Sequence, residues 1–397
     1  MNNAILYVGG FVLPDGNAAA QRVMANAKLL QQIGYEVILI GVDKEVDSDV
    51  SVVSTKETIQ GFTTYKAAYP NSMIAWAKQL TSVVDIRAIM THIGREKIKA
   101  VIAYNYPAIA LERLLGFCTP QKIKIISDCT EWAYLENSKR LRSLLKNWDT
   151  QRRMKKVHPK LDGIIAISDY LFNYYKGSPT AILKLPPLVD KRDSKWKELQ
   201  GRALQDKVQM IYAGSPGNGG KDRIDKIIEA LAKIKDGIEK SFKLIVIGIT
   251  KQQYLEDFSK GNIPRNMEEK VEFRGRLPHN ETIKAIKQAH YTIFIRDKNL
   301  VTKAGFPTKF VESISCGTPV LTNRSSNISE YLKEGELGFF LDVRTEEQLR
   351  FSLSNAINVS KKKVVSMKDK CRSSNIFDIS SNKKYFENFL KQEVFKS

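Results

Sequence analysis

Residues 4–42 read AILYVGGFVLPDGNAAAQRVMANAKLLQQIGYEVILIGV. The apolar run at 4–8 has the length and continuity of a strand buried on both faces, and it stops at Gly9-Gly10. A loop, FVLPDGN, leads into a helical stretch from Ala18 to Ile33. There Val23, Ala27, Leu30 and Ile33 recur at helical spacing, and Gly34 supplies a stop. EVILIGV at 36–42 is a second buried strand. Strand, glycine loop, helix and strand make a βαβ unit, which requires a parallel sheet. Apolar runs at 100–104, 123–126 and 163–167, separated by helical patterns, extend this unit into an α/β domain.

The pattern then restarts. After the polar stretch 190–207, VQMIYAG (208–214) is again a strand entering a glycine loop, SPGNGGKD. A helix at about 222–235 and the strand FKLIVIG (242–248) follow. Later strands are expected at 271–275, 291–296, 319–323 and 339–343. The layout is therefore two α/β domains, at 1–190 and 208–375, joined by a linker over 191–207. Such sheets bind ligands at the carboxyl ends of their strands, so a cleft between the two domains is the expected site. A glycine loop after the first strand of each domain lets backbone N–H groups approach an anion.

Composition narrows the function. With 397 residues, 43% hydrophobic and 27% charged, the chain is globular, and no apolar run is long enough to span a bilayer. The start, MNNAILYVGG, has neither the basic region nor the cleavage site of a secretory signal, so a cytoplasmic location is expected. Four scattered cysteines and four scattered histidines suggest neither a disulfide framework nor a metal site. The net charge of +20 favours an anionic partner: a nucleic acid, a membrane surface or a phosphorylated small molecule.

The stretch KAGFPTKFVESISCGTPVLTN (303–323) is the most informative for function. Gly305 and Pro307 prepare a turn into a helix that carries Phe310, Val311, Ile314 and Ser315 inward and ends at Gly317. Thr308 and Lys309 lie in its first turn, where helix N–H groups and a lysine suit a diphosphate. Glu312, one turn on, is placed to accept hydrogen bonds from ribose hydroxyls. The alternative is an ordinary helix with a solvated glutamate.

This stretch resembles the C-terminal signature of the retaining glycosyltransferases of family 4 (group 1 glycosyltransferases), an E-x7-E pattern followed by a GTPV-like strand. Glu312 matches the second glutamate, which in that family holds the donor ribose; the first falls at Ala304. GGFVLPDGNAAAQRV is similar to the family's N-terminal glycine loop, with Gly16 and Asn17 at the pair that faces the donor phosphates. DGIIAIS (162–168) and LPPLVD (185–190) look like the end of the acceptor domain. YAGSPGNGGKDRIDKIIEAL resembles the opening of the donor domain, where a basic residue grips the diphosphate; Lys221 is the candidate and Arg223 its alternative. FRGRLPHNETIKAIKQAHYTIFIR (273–296) is similar to the stretch before the signature and sends Arg296 into the cleft. The resemblance implies the GT-B fold, two Rossmann-like domains facing each other across a cleft. Its final helix, expected over about 376–397, crosses back to the first domain.

The implied activity is a retaining, hexosyltransferase-type transfer from a nucleoside-diphosphate sugar. The acceptor would be a saccharide or lipid-linked saccharide, in assembly of a bacterial capsule, O-antigen or exopolysaccharide. The departing diphosphate must be stabilised, and Lys221, Arg296 and Lys309 would supply that charge with no metal and no cofactor. SDCTEWAY (127–134) places Asp128 and Glu131 just past a strand. Asp128 is the first candidate for the acceptor base, Glu131 the second, and the alternative is that both fix the loop. Residues 139–160 hold nine Lys/Arg against the single Asp149, with Leu141, Leu144, Leu145 and Trp148 on one helical face. That pattern fits either peripheral contact with an anionic membrane or packing on the core. Two competing functions remain: a sugar-nucleotide epimerase on the same fold, and a basic nucleic-acid-binding protein. The first would want more cleft acids and histidines. The second would want basic and aromatic residues on an exposed sheet, whereas these strands read as buried.

Overall fold

A computed structural model describes residues 3–132, 141–197, 204–216, 221–234, 240–258 and 262–396. It divides into two units. The first comprises Met1–Asp190, Ala304–Phe306 and Asp378–Ser397, and the second Lys191–Lys303 and Pro307–Phe377. Among the described residues no helix is long and apolar enough to cross a membrane.

The first unit is built on an eight-stranded sheet. Its strands are β1 (Ala4–Gly9), β2 (Glu36–Asp43), β3 (Glu57–Ile59), β4 (Phe62–Ala68), β5 (Ile98–Tyr104), β6 (Lys124–Cys129), β7 (Gly163–Ala166) and β8 (Ala181–Lys184). Their spatial order is β3-β4-β2-β1-β5-β6-β7-β8, parallel except for the β3–β4 hairpin at the edge. The helices are α1 (Ala18–Ile33), α2 (Met73–Thr81), α3 (Val84–Ile93), α4 (Ala108–Cys118), α5 (Leu141–Arg152) and α6 (Asp169–Tyr175).

α1 runs as the apolar spacing requires. The Asn17 side chain accepts from Ala20 N at its start, and Gly34 closes it at φ 108°, a conformation glycine adopts without steric cost. Val23, Ala27 and Leu30 are buried against one face of the sheet together with Ile379, Phe386 and Phe389 of the C-terminal helix; α3 and α4 cover the other face. Strands β3, β4 and β8 carry no readable sequence signal. β4 (FTTYKAA) is half polar and β8 has only four residues, and pairing with neighbours defines them.

The second unit has a six-stranded, wholly parallel sheet. Its strands are β9 (Val208–Ala213), β10 (Phe242–Ile247), β11 (Val271–Phe273), β12 (Tyr291–Phe294), β13 (Val320–Thr322) and β14 (Gly338–Phe340), in the order β11-β10-β9-β12-β13-β14. Between and after them lie α7 (Ile224–Ala232), α8 (Lys251–Asp257), α9 (His279–Gln288), α10 (Leu300–Ala304), α11 (Thr308–Ser315), α12 (Ile328–Tyr331), α13 (Glu346–Asn358) and α14 (Lys361–Ser373). The second unit begins at Lys191, and Trp196 is buried. The chain returns to the first unit as α15 (Ile379–Asn388), which starts at the Asp378 cap and continues as a π-helical turn through Val394. Both sheets reverse their winding beside their first strand, between β1 and β5 and between β9 and β12. Those two switch points are where parallel α/β sheets open a crevice for ligands.

Candidate functional site

At the switch point of the second unit, β9 ends in Gly214 and β12 runs on to Arg296. The Gly214 and Gly248 backbones approach so closely that a Cβ on Gly248 would lie 2.3 Å from the Gly214 carbonyl oxygen. One on Gly214 would sit 3.3 Å from Lys309 Cε. This clears a path for the Lys309 side chain, which α11 carries inward beside Phe310 and Val311.

Lys309, in the first turn of α11, is buried. Its Nζ donates to Asp222 Oδ2 and lies 3.1 Å from the Tyr212 hydroxyl. Arg296 Nε donates to Asp222 Oδ1 at 2.7 Å, and the Tyr212 hydroxyl donates to Oδ2 at 2.9 Å. Asn323 fixes the Arg296 backbone from both sides, accepting from its N–H and donating to its carbonyl. Burial opposes ionisation of Asp222, yet the two cations outweigh it and hold the carboxyl well below its ordinary range. Burial also draws the Lys309 ammonium down, against the pull of Asp222. Two cations thus share one carboxylate, and Arg296 Nη1 is buried with no hydrogen-bond partner among the described residues. A buried donor left unsatisfied beside excess positive charge is a poised anion site.

Of the other expected contacts in this unit, Thr308 opens α11 and is partly exposed. Lys221 is also partly exposed and adjoins Asp222 in sequence; Gly217–Gly220 of the loop lie outside the described residues. Arg223, the alternative to Lys221, is engaged elsewhere by Asp225 and Asp297. Glu312 is partly exposed, with its Oε1 3.2 Å from Nε2 of His279, the first residue of α9. Sequence reading missed Asp222, Tyr212, Asn323 and His279. Only for Asp222 was a signal present, since two buried cations demand an acid and KDRID offers one just ahead of α7.

At the switch point of the first unit, a cavity of about 330 Å³ opens over the ends of β1, β2, β4 and β5. Its lining includes Gly10, Tyr69, Lys78, Asp85, Tyr104 and Asn105. Asn105 holds a positive φ of 42°; its Oδ1 accepts from Thr130 N, and its Nδ2 donates to Thr130 Oγ1. Gly16 closes a turn by donating its N–H to Val12 O, and Asn17 caps α1.

Asp128, expected as the acceptor base, requires correction. Its side chain has 0% exposure, and its oxygens accept from Arg22 Nε and Nη2 at 2.8–3.0 Å and from the Tyr7 hydroxyl. Arg22 Nη1 continues to the Leu185 carbonyl, so the pair ties α1 to β6 and to the segment after β8. Such a carboxylate has no face left for an acceptor hydroxyl. Burial pushes the Tyr7 hydroxyl well above its ordinary value, and Asp128 adds to the effect. Glu131 is partly exposed beyond the end of β6. Ala304, at the position of the family's first glutamate, is buried, and its carbonyl accepts from Ser168 Oγ at 2.7 Å. Among the described residues no group of three or more His, Cys, Asp or Glu side chains could hold a metal ion.

Residues 203–371 match the family of glycosyl transferases group 1. No curated protein matches the sequence. Among solved structures, the chain is similar to sucrose-phosphate synthase from Thermosynechococcus elongatus (13% identity, 98% of both chains covered, TM-score 0.71). It is also similar to a glycosyltransferase from Rickettsia africae (13%, 100% of both, 0.68). A third is HepE from Anabaena in complex with UDP and glucose (13%, 98% of this chain and 100% of that one, 0.66). The chain therefore has the GT-B fold, and its residues 203–371 match the group 1 glycosyl transferases.

Proposed function

We propose that the protein is a retaining glycosyltransferase that moves a hexosyl group from a nucleoside-diphosphate sugar to a saccharide or lipid-linked saccharide, in assembly of a bacterial surface polysaccharide. The observation that carries this reading is the Arg296–Asp222–Lys309 cluster at the β9–β12 switch point, two cations on one carboxylate with a guanidinium nitrogen unpaired among the described residues. A diphosphate supplies the anion that this cluster lacks. The complex of HepE with UDP and glucose supports the same ligand class.

In the reaction the bond from the sugar's anomeric carbon to the donor phosphate oxygen breaks, and a bond from that carbon to the acceptor oxygen forms. Negative charge grows on the departing diphosphate, where Arg296, Lys309 and the first-turn amides of α11 at Thr308 offset it without a resident metal ion. Glu312 holds the ribose, with His279 fixing one of its oxygens. Lys221, and in the first unit Gly16 and Asn17, are the remaining donor contacts implied by the family resemblance. The acceptor hydroxyl gives up its proton as the new bond forms. Glu131, partly exposed past β6, is the protein group proposed to take it, and the 330 Å³ cavity is the proposed acceptor pocket.

The test is calorimetric titration with UDP, other nucleoside diphosphates and an oligonucleotide, followed by a donor-hydrolysis screen over nucleotide sugars. Binding of a nucleoside diphosphate and release of sugar from at least one donor are expected. Binding of the oligonucleotide alone would refute the reading.

A further inference from the structure

Two helices of the first unit expose apolar side chains where a solvated surface carries polar ones. α2 (MIAWAKQLT) buries none of its residues; Ile74 is 84% exposed and Met73 is exposed beside it. In α5 the described side chains of the stripe noted in the sequence face outward. Leu144, Leu145 and Trp148 are exposed, with Trp148 at 50%, while Asp149 and Thr150 turn inward, followed by Arg153, Met154 and Val157. The apolar face of α5 is therefore not its packing face.

α4 packs against both helices. Arg113 donates to the carbonyl of Thr81 at the end of α2, and Glu112 pairs with Arg152 at the end of α5. On α2, on α5 and just past α5, the exposed charged side chains are all basic. Lys78 on α2, Lys146 on α5 and Lys155 and Lys156 just past it are exposed. α2 contains no acid, and the one acid of α5, Asp149, is buried and accepts from Ala108 N. Lysines are depleted from the centres of protein interfaces. Leu, Ile and Trp set among lysines instead match the boundary between acyl chains and anionic headgroups.

We infer that α2 and α5 form a docking surface for an anionic lipid bilayer, and that α2 separates the bilayer from the acceptor pocket. The same helix that exposes Met73 and Ile74 contributes Ala75, Lys78 and Gln79 to the wall of the cavity at the β1–β5 switch point. An acceptor anchored in the bilayer would then reach the pocket past one helix whose side chains are at most half-buried. The meaning given to the pocket rests on the glycosyltransferase reading; the bilayer contact does not.

The experiment is co-sedimentation of the full chain with vesicles of phosphatidylcholine alone and with about 30% phosphatidylglycerol added, at two salt concentrations. Sedimentation with the anionic vesicles, weakened by salt, is expected. The double variant Ile74→Glu/Trp148→Glu should lower the partition coefficient by at least about tenfold. Lys155→Glu/Lys156→Glu should lower it by about fivefold per lysine. All four positions are exposed, and nucleoside-diphosphate binding, measured without vesicles, should stay at the wild-type value. Equal partitioning of variants and wild type, or a wild type that stays in the supernatant, would overturn the inference. So would self-association in solution that the apolar variants abolish, which would assign the face to a second copy of the chain. If vesicle binding persists while no nucleoside diphosphate binds, the bilayer contact stands and the glycosyltransferase reading fails.

Discussion

Each unit holds a buried aspartate at the carboxyl end of its sheet, and each aspartate takes a tyrosine hydroxyl and a guanidinium. In the first unit Asp128 meets one cation, Arg22, whose hydrogen-bonding groups reach Asp128 and the Leu185 carbonyl. In the second unit Asp222 meets two, Arg296 and Lys309, and Arg296 Nη1 is left without a partner among the described residues. The first cluster balances its charge and closes; the second does not. The same building block thus serves as a framework tie in one unit and as an anion site in the other, and what separates them is one extra cation.

The sharpest way to break that contrast is to remove the first carboxylate. Asp128→Ala strands Arg22 in the core and should cost about 3–5 kcal/mol in denaturant unfolding, with nucleoside-diphosphate affinity of the folded fraction unchanged. Lost affinity at retained stability would move Asp128 back into the active site. The counterpart in the second unit is Lys309→Met, which still leaves Asp222 paired with Arg296. It should weaken nucleoside-diphosphate binding by about 2–3 kcal/mol in calorimetry, with a smaller loss of folding stability than Asp128→Ala.

Glu312→Ala sharpens the assignment within that site. Affinity for a nucleoside diphosphate should fall about tenfold and affinity for inorganic pyrophosphate should not, because the carboxylate is assigned to the ribose. Equal losses for both ligands would place Glu312 at the phosphates.

The last contrast concerns a buried histidine in each unit. Burial holds His158 well below its ordinary pKa in the first and pushes His290 down to about 4 in the second. His290 Nδ1 accepts from Gln209 N and Nε2 faces the Gln205 carbonyl, a pattern that fits the neutral ring. An unfolded chain protonates these rings near pH 6.5, so it binds more protons than the folded one below that pH. Their contribution is complete above about 6.5 and declines as pH falls toward 4, by about 1.4 kcal/mol per pH unit for each ring. Denaturant titrations of His290→Gln should show a shallower decline than wild type over that interval; an unchanged slope would mean that the ring is already protonated in the fold.

Much of the architecture was legible because buried parallel strands and amphipathic helices print their burial directly in the sequence. α1 runs from Ala18 to Ile33 as its spacing requires, and Phe310, Val311, Ile314 and Ser315 all turn inward from α11. β4 and α2 were not legible for the opposite reason. β4 mixes polar and apolar residues that its neighbours sort, and α2 has only half-buried residues on its inner face, which print a weaker pattern. At the candidate site, Arg296, Thr308, Lys309 and Glu312 could be picked from motif and spacing, but Asp222, Asn323 and His279 could not. They come from separate loops and helices that meet only once the sheet has formed.

By itself the sequence determined two α/β units, the positions of most strands, an excess of cations and the helix that carries Lys309. Those follow from local hydrophobic periodicity and from composition, which need no knowledge of what lies opposite. Only the tertiary structure decided that Asp128 is an internal tie, that Asp222 leaves one cation unbalanced, and that the described side chains of the apolar stripe of α5 face outward. Burial and pairing of a charge depend on residues far apart in the chain, so no window along the sequence contains both partners.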